Sequence, residues 1–203
     1  MMQMFDNPAS PYCRKVQVLL RETGQADDVE MLYAVGSPTA PEKMPVAHNP
    51  LGKLPTLLRE DGPAMYDSRV ICRFLDDRAG AGLYPAPPRL WDTLTLEATA
   101  DGIMDAAVLM VYEGRCRPEA LHHPPWVEGQ WAKIERALDV LGDLWMSHLH
   151  GPLDMGQVAV GCALGYLDFR HGGRDWRAGR AALDDWFAGF AARESMRATV
   201  PHA

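Results

Sequence analysis

Residues 78–89 (RAGAGLYPAPPR) can neither extend a helix nor occupy a central strand, because their glycines loosen the backbone and their prolines remove donors. A 203-residue chain broken there is long enough for two small domains, each able to bury a core. The two sides differ in character, since all six tryptophans lie at or beyond Trp91. The boundary implied is a first domain at 1–80, a linker at 81–88 and a second domain at 89–203.

The first part alternates between strand and helix signals. Gln3-Met4-Phe5 reads as a short strand, and Asn7–Pro11 as a loop in which Ser10 is placed to cap a helix begun by Pro11. That helix carries Val16, Leu19 and Leu20 on one face and stops at Gly24. Val29–Val35 reads as a second strand, which completes a strand–helix–strand unit of crossover length. Leu54–Arg59 and Ala64–Tyr66 flank Glu60-Asp61-Gly62-Pro63 as a hairpin with an Asp-Gly turn. Asp67-Ser68 then opens a helix with Val70, Ile71, Phe74 and Leu75 as its apolar face. The fold class is therefore α/β, in the order βαβ and then ββα.

The second part reads as all-α. Trp91–Tyr112 is one long helix, and Pro124-Pro125 start another in which Val127, Trp131, Ile134, Leu138, Leu141 and Trp145 recur every three or four residues as a core stripe. Asp154 and Gln157 have capping-box spacing at the head of an apolar helix that runs to Phe169. Leu183, Trp186, Phe187 and Phe190 mark a final helix.

Composition narrows the function. Apolar residues make up 47% and charged residues 23% of the chain, as in ordinary globular proteins. The net charge is -7 and the basic residues are scattered, which argues against nucleic acid as a partner. The longest apolar run, Val158–Leu167, is too short to span a bilayer, and residues 1–6 lack a secretory signal, so no membrane partner is expected. Cys13, Cys72, Cys116 and Cys162 are widely separated, without a CxxC pair or a nearby histidine that would complete a zinc pattern, so free thiols in a reducing cytoplasm and no metal site are expected.

Three segments could carry chemistry. At Ser10-Pro11-Tyr12-Cys13, a helix N-terminus offers free N–H groups and partial positive charge to an anion such as a thiolate. The Ser10 hydroxyl could donate to that thiolate, or act as an N-cap and nothing more. Cys13, three residues in, is read as a buried, inert thiol. Asn49–Leu57 (NPLGKLPTL) is a turn that enters a strand through Pro55. A cis Leu54–Pro55 bond would present the Leu54 backbone to an extended peptide; a trans bond would simply begin an edge strand. At Tyr66–Ile71 a second helix N-terminus suits a carboxylate, while Asp67 suits an ammonium group; plain capping by Asp67 or Ser68 is the alternative.

In their order these segments resemble the glutathione transferase family. The resemblance rests on SPYxRK at Ser10–Lys15, NPLGKLP at Asn49–Pro55, YDSRVI at Tyr66–Ile71, ADGIMDAA at Ala100–Ala107, ALGYLDFR at Ala163–Arg170, the Pro-rich linker and the capping-boxed helix. It spans nearly the whole chain. It implies a thioredoxin-like domain that binds glutathione and a helical domain that shapes the second-substrate pocket. By position, Ser10 would activate the thiol, and Leu54 would pair with the cysteinyl backbone beside a cis Pro55. Lys53 would reach the tripeptide, Asp67 and Ser68 would hold the γ-glutamyl end, and Tyr12 would join the glutathione site. The segment also looks like a glutaredoxin CPYC loop with Ser10 in place of the first cysteine, which disfavours disulfide exchange by the protein itself.

The expected activity is glutathione conjugation to a small electrophile, in detoxification, by a homodimer, with glutathione as co-substrate and no other cofactor. Two other activities share the resemblance: a glutathione-dependent isomerase or lyase, and a non-catalytic binding module. Met104, Val108 and Tyr112 (with Met110 beside them) are expected along the second-substrate pocket, although core packing explains them equally. Glu97, Asp101 and Asp105 fall on one helix face, by default a solvated one; the resemblance would instead turn Asp101 toward glutathione on the partner chain. His122-His123 and His148-Leu149-His150 read as loop histidines, and Gly80-Ala81-Gly82 as linker.

Overall fold

A computed structural model describes residues 1–202. Strand β1 (Met2–Asp6) leads into helix α1 (Pro11–Glu22) and strand β2 (Val29–Tyr33). After a long irregular segment come β3 (Thr56–Arg59), β4 (Gly62–Met65) and α2 (Ser68–Ala79). The sheet order is β2-β1-β3-β4, with β1 parallel to β2 and antiparallel to β3. This is the thioredoxin-like arrangement that the resemblance implied. Val16, Leu19, Leu20, Ile71 and Leu75 are buried as their spacing predicts. Val70 is not: it is 49% exposed and leaves the apolar face expected of it. The hairpin also differs, because Arg59 pairs with Gly62. The turn is therefore Glu60-Asp61, and Gly62 already belongs to β4.

Gly80 ends α2 in the left-handed conformation, with φ 60°. The following residues are pinned rather than free. The buried Asp76 carboxylate accepts the N–H groups of Leu83 and Tyr84, at 2.8 and 3.0 Å, and Leu83 offers its carbonyl to Met155.

The second domain consists of α3 (Arg89–Cys116), α4 (Pro124–Leu144), α5 (Met146–Leu149), α6 (Met155–His171), α7 (Ala181–Ala191) and α8 (Glu194–Arg197). The α4 stripe is buried at Trp131, Ile134, Leu138 and Leu141. Helix α6 is the hub, buried without interruption from Met155 to Leu167. Gly161 permits that packing, since a Cβ there would lie 2.5 Å from the Phe190 ring. Short α8 escapes any periodicity argument. It is held against α1 by Arg193–Glu22 at 2.7 Å and by buried Arg14 donating to the Met196 carbonyl at 3.1 Å.

The capping box at α6 is present in full, and Asp154 does more than cap. Its carboxylate also accepts from Thr93 at 3.0 Å, Arg89 at 3.1 Å and His148 at 2.6 Å, tying α3 and α5 to the α6 N-terminus. His148 is thus a helix residue rather than a loop one. Asp154→Ala is expected to cost about 2 kcal/mol, the upper range for a lost N-cap. Chemical denaturation checks this; a loss near zero would show that the neighbouring contacts carry the α6 N-terminus without it.

Candidate functional site

The register of the sheet brings the three singled-out segments together. Phe5 of β1 pairs with Thr56, the first residue of β3, and Leu57 pairs with Met65, the last residue of β4. Residues 7–10, 53–55 and 66–68 therefore leave the sheet at one end, where α1 and α2 both begin. Two helix N-termini facing one end of a sheet make a favourable place for anionic groups.

Ser10 caps α1, its hydroxyl oxygen accepting the Cys13 N–H at 3.3 Å. A hydroxyl that accepts this bond still has its own proton to give, so capping and donation are compatible. The Cys13 thiol is fully buried, and burial pushes it well above an ordinary thiol pKa. The negative Asp6 nearby acts in the same direction. That is the inert thiol expected.

The Leu54–Pro55 bond is cis. Leu54 makes no backbone hydrogen bond among the described residues. The loop before it is tied by Asn49, which is 1% exposed. Its amide donates to the Lys53 carbonyl at 3.0 Å and to the Thr56 hydroxyl at 3.2 Å, and its oxygen accepts the Leu51 N–H. Sequence reasoning quoted Asn49 only as part of a motif; an asparagine before Pro-Leu-Gly, with its turn-forming side chain, was the available signal. The Lys53 side chain is exposed.

Asp67 caps α2 through the Arg69 N–H at 3.0 Å and also pairs with the Arg69 guanidinium at 2.6 Å. Burial alone would raise its carboxyl, but the Arg69 contacts hold it below the ordinary value. Ser68 is buried beside it. A cleft of about 460 Å³ opens here, lined by Leu51, Tyr66, Asp67, Arg69, Val70 and Arg73. If Asp67 holds a ligand ammonium as well as the cap, Asp67→Ala is expected to cost about 1 kcal/mol of stability and to weaken tripeptide binding about 10-fold. Calorimetry and thermal melting measure the two separately; a stability loss with unchanged affinity would leave Asp67 a cap alone.

Of the carboxylate stripe on α3, Asp105 is exposed as expected, but Glu97 and Asp101 are not solvated. Glu97 and Asp101 are buried around the fully buried Lys15 of α1, at 2.9 and 2.8 Å. Burial would pull the Lys15 ammonium down, but the two carboxylates hold it above its ordinary value. Burial also raises Asp101, against the pull of Lys15. Tyr84 of the linker donates to Glu97, and Arg69 lies 3.7 Å from Asp101. Asp101 is thus engaged by Lys15 and Arg69 within its own chain. Half-buried Tyr12 bonds through its hydroxyl to Asp105, which ties α1 to α3. Burial and Asp105 both keep that phenol protonated.

Of the expected second-substrate residues, Met104 is fully buried and Met110 nearly so, and both belong to the core. Val108 and Tyr112 are half-buried. Within ALGYLDFR, Tyr166 is buried and the Arg170 guanidinium stacks on Phe169, 4.0 Å from the ring centre. No cluster of His, Cys, Asp and Glu among the described residues could hold a metal ion, and no helix there is long and apolar enough to cross a membrane.

Comparison with known proteins identifies the family and agrees with the fold. The glutathione S-transferase N-terminal domain matches residues 9–78 and the glutathione S-transferase C-terminal domain residues 124–189. The chain is 34% identical to the uncharacterized GST-like protein YibF of Escherichia coli K12, over 98% of both chains. It is 45% identical, over the full length of both chains, to a glutathione transferase family member from Pseudomonas fluorescens Pf-5 solved with bound glutathione, at a TM-score of 0.97. A second Pseudomonas fluorescens Pf-5 structure, with bound S-(propanoic acid)-glutathione, matches at the same identity and coverage with a TM-score of 0.92.

Proposed function

Because the chain belongs to the glutathione S-transferase family, we propose that it binds glutathione where the three segments converge and conjugates its thiol to a small electrophile. The observation that carries this reading is the Ser10 hydroxyl at the head of α1, which accepts the Cys13 N–H and keeps a proton to donate. A hydrogen bond to an ion is worth about 1.5–3 kcal/mol, which corresponds to a thiol pKa lower by about 1–2. From a starting value near 8.5, this makes a large share of the bound thiol thiolate at neutral pH. The α1 N-terminus adds to the same effect.

The rest of the site positions the tripeptide. The free backbone of Leu54 pairs with the cysteinyl unit, Lys53 meets a carboxylate, and Asp67 and Ser68 take the γ-glutamyl end. Bound glutathione in the Pseudomonas fluorescens relative supports tripeptide binding by this chain. The S-(propanoic acid)-glutathione bound in the second structure supports the binding of glutathione with a substituent on sulfur. Holding sulfur and electrophile together supplies the remaining rate. The working protein is a homodimer, a reading supported by exposed Leu51, Val70 and Trp91 along α2 and α3 and the loop beside them. Its free thiols suit a reducing cytoplasm.

The test is product analysis with an aryl halide and glutathione. The transferase reading expects one glutathione consumed and one thioether formed for each halide released. Turnover of an isomerisable substrate with no net loss of glutathione would replace it with an isomerase.

A further inference from the structure

A second cleft, of about 330 Å³, opens in the helical domain between α5, the head of α6 and α7. It lies at the other end of α1 from Ser10. Arg193 on its wall pairs with Glu22, the last residue of α1, and the twelve residues of that helix span about 18 Å at 1.5 Å each. One wall is apolar: Leu149, Leu153, Trp186 and Phe190 form it, with the Trp186 and Phe190 rings stacked at 4.9 Å. The Trp186 N–H is already given to the Leu149 carbonyl at 2.7 Å, so the indole has no donor left for a ligand. Gly189 adds no side chain. A Cβ there would meet nothing within 4 Å, which leaves the cleft open along α7. The charged and polar groups of the wall are satisfied, with one exception. The Arg193 guanidinium is neutralised by two bonds to Glu22, at 2.8 and 2.7 Å, and His150 is held through Nδ1 to the Met146 carbonyl at 2.7 Å. Arg177 takes the neighbouring Asp184 at 2.7 Å, while exposed Asp185 has no hydrogen bond or ion pair among the described residues.

We infer that this cleft is a binding site for a small organic ammonium ion with an aromatic tail, its charge on Asp185 and its ring against Trp186 and Phe190. The volume sits at the lower end of small-molecule sites, about 300–1,000 Å³, which limits the tail to about one ring. Asp185 brings the one uncompensated charge, so it selects the sign of the ligand: an ammonium gains a charge-assisted hydrogen bond, and a carboxylate is repelled. The faces of the two aromatic rings favour a cation as well. The apolar wall supplies affinity that is indifferent to charge, because it removes the ligand's ring from water. The site is independent of the transferase reading and stands or falls separately from it.

The test follows the indole N–H signals of the six tryptophans by two-dimensional NMR as phenethylamine is added, with Trp186 assigned from a Trp186→Phe variant. The amine is expected to shift the Trp186 signal saturably, with or without glutathione present, and to bind about 10-fold more tightly than neutral phenethyl alcohol. Asp185→Asn, at an exposed position, should remove that preference and leave the affinity for the alcohol unchanged. Gly189→Leu should fill the cleft and abolish binding of both, with a melting temperature no lower than wild type, since leucine is the better helix former and the added Cβ meets no neighbour. No saturable shift of Trp186 at millimolar amine would overturn the site. Equal affinity for amine and alcohol, a preference that survives Asp185→Asn, or binding that survives Gly189→Leu would overturn it too. Glutathione titrated into the same samples reads the transferase proposal separately.

Discussion

Lys15→Met is expected to destabilise the protein by about 3–5 kcal/mol, the cost of removing one partner from a buried ion pair. Methionine keeps most of the stem packing, so the loss reports the charge. In the native protein Lys15 is fully buried between Glu97 and Asp101 and joins α1 of the first domain to α3 of the second. Without it two carboxylates remain buried close together, helped only by Tyr84 at Glu97 and by Arg69, 3.7 Å from Asp101. The sign of the pH dependence follows. A carboxyl group whose folded pKa lies above its unfolded value binds its proton more tightly in the folded state, so stability falls as pH rises from the unfolded value through the folded one. Asp101 is already raised by burial in the native protein, and loss of Lys15 raises it further. The difference between wild type and variant should therefore shrink as pH is lowered from 7 to 5. Urea titrations at both pH values check this; a gap that is small, or that widens toward acid, would contradict the clamp.

Ser10→Ala separates the two roles of one hydroxyl. Loss of the cap costs about 1 kcal/mol. Loss of a charge-assisted bond to sulfur should also slow conjugation by about 10–100-fold at neutral pH. The slowing should diminish at high pH, where the thiol ionises unaided. Ser10→Cys should change the chemistry: a cysteine at this helix N-terminus has a depressed pKa and can form a mixed disulfide with glutathione. Thiol-transfer assays would detect the new activity. An alanine variant with the wild-type rate and the wild-type pH profile would move thiol activation to the backbone N–H groups of α1.

The strand–helix order, the α4 stripe and the α6 capping box were legible because each is a local pattern, written within a dozen or so residues. What was not legible depends on distant partners. Glu97 and Asp101 look like part of any solvated helix face until Lys15, more than eighty residues earlier, is folded onto them. The signal was slight: Lys15 sits beside Val16 in a helix whose buried face it shares. Val70 failed for a related reason, because an apolar side chain at helix spacing does not say which elements cover it. At the site, the positions of Ser10, Leu54 and Asp67 followed from strand ends and helix starts, and the sheet register then brought them together. Asn49 lay inside a recognised motif, yet its role depends on orientation, which residue type alone does not carry.

The most direct measurement is the ultraviolet absorbance of the thiolate as pH is raised, with glutathione saturating the wild-type protein and the Ser10→Ala variant. The account predicts that the wild-type complex ionises at a pH about 1–2 below free glutathione, and that the variant returns most of the way to the free value. Ionisation of the wild-type complex at the same pH as the free tripeptide would contradict it.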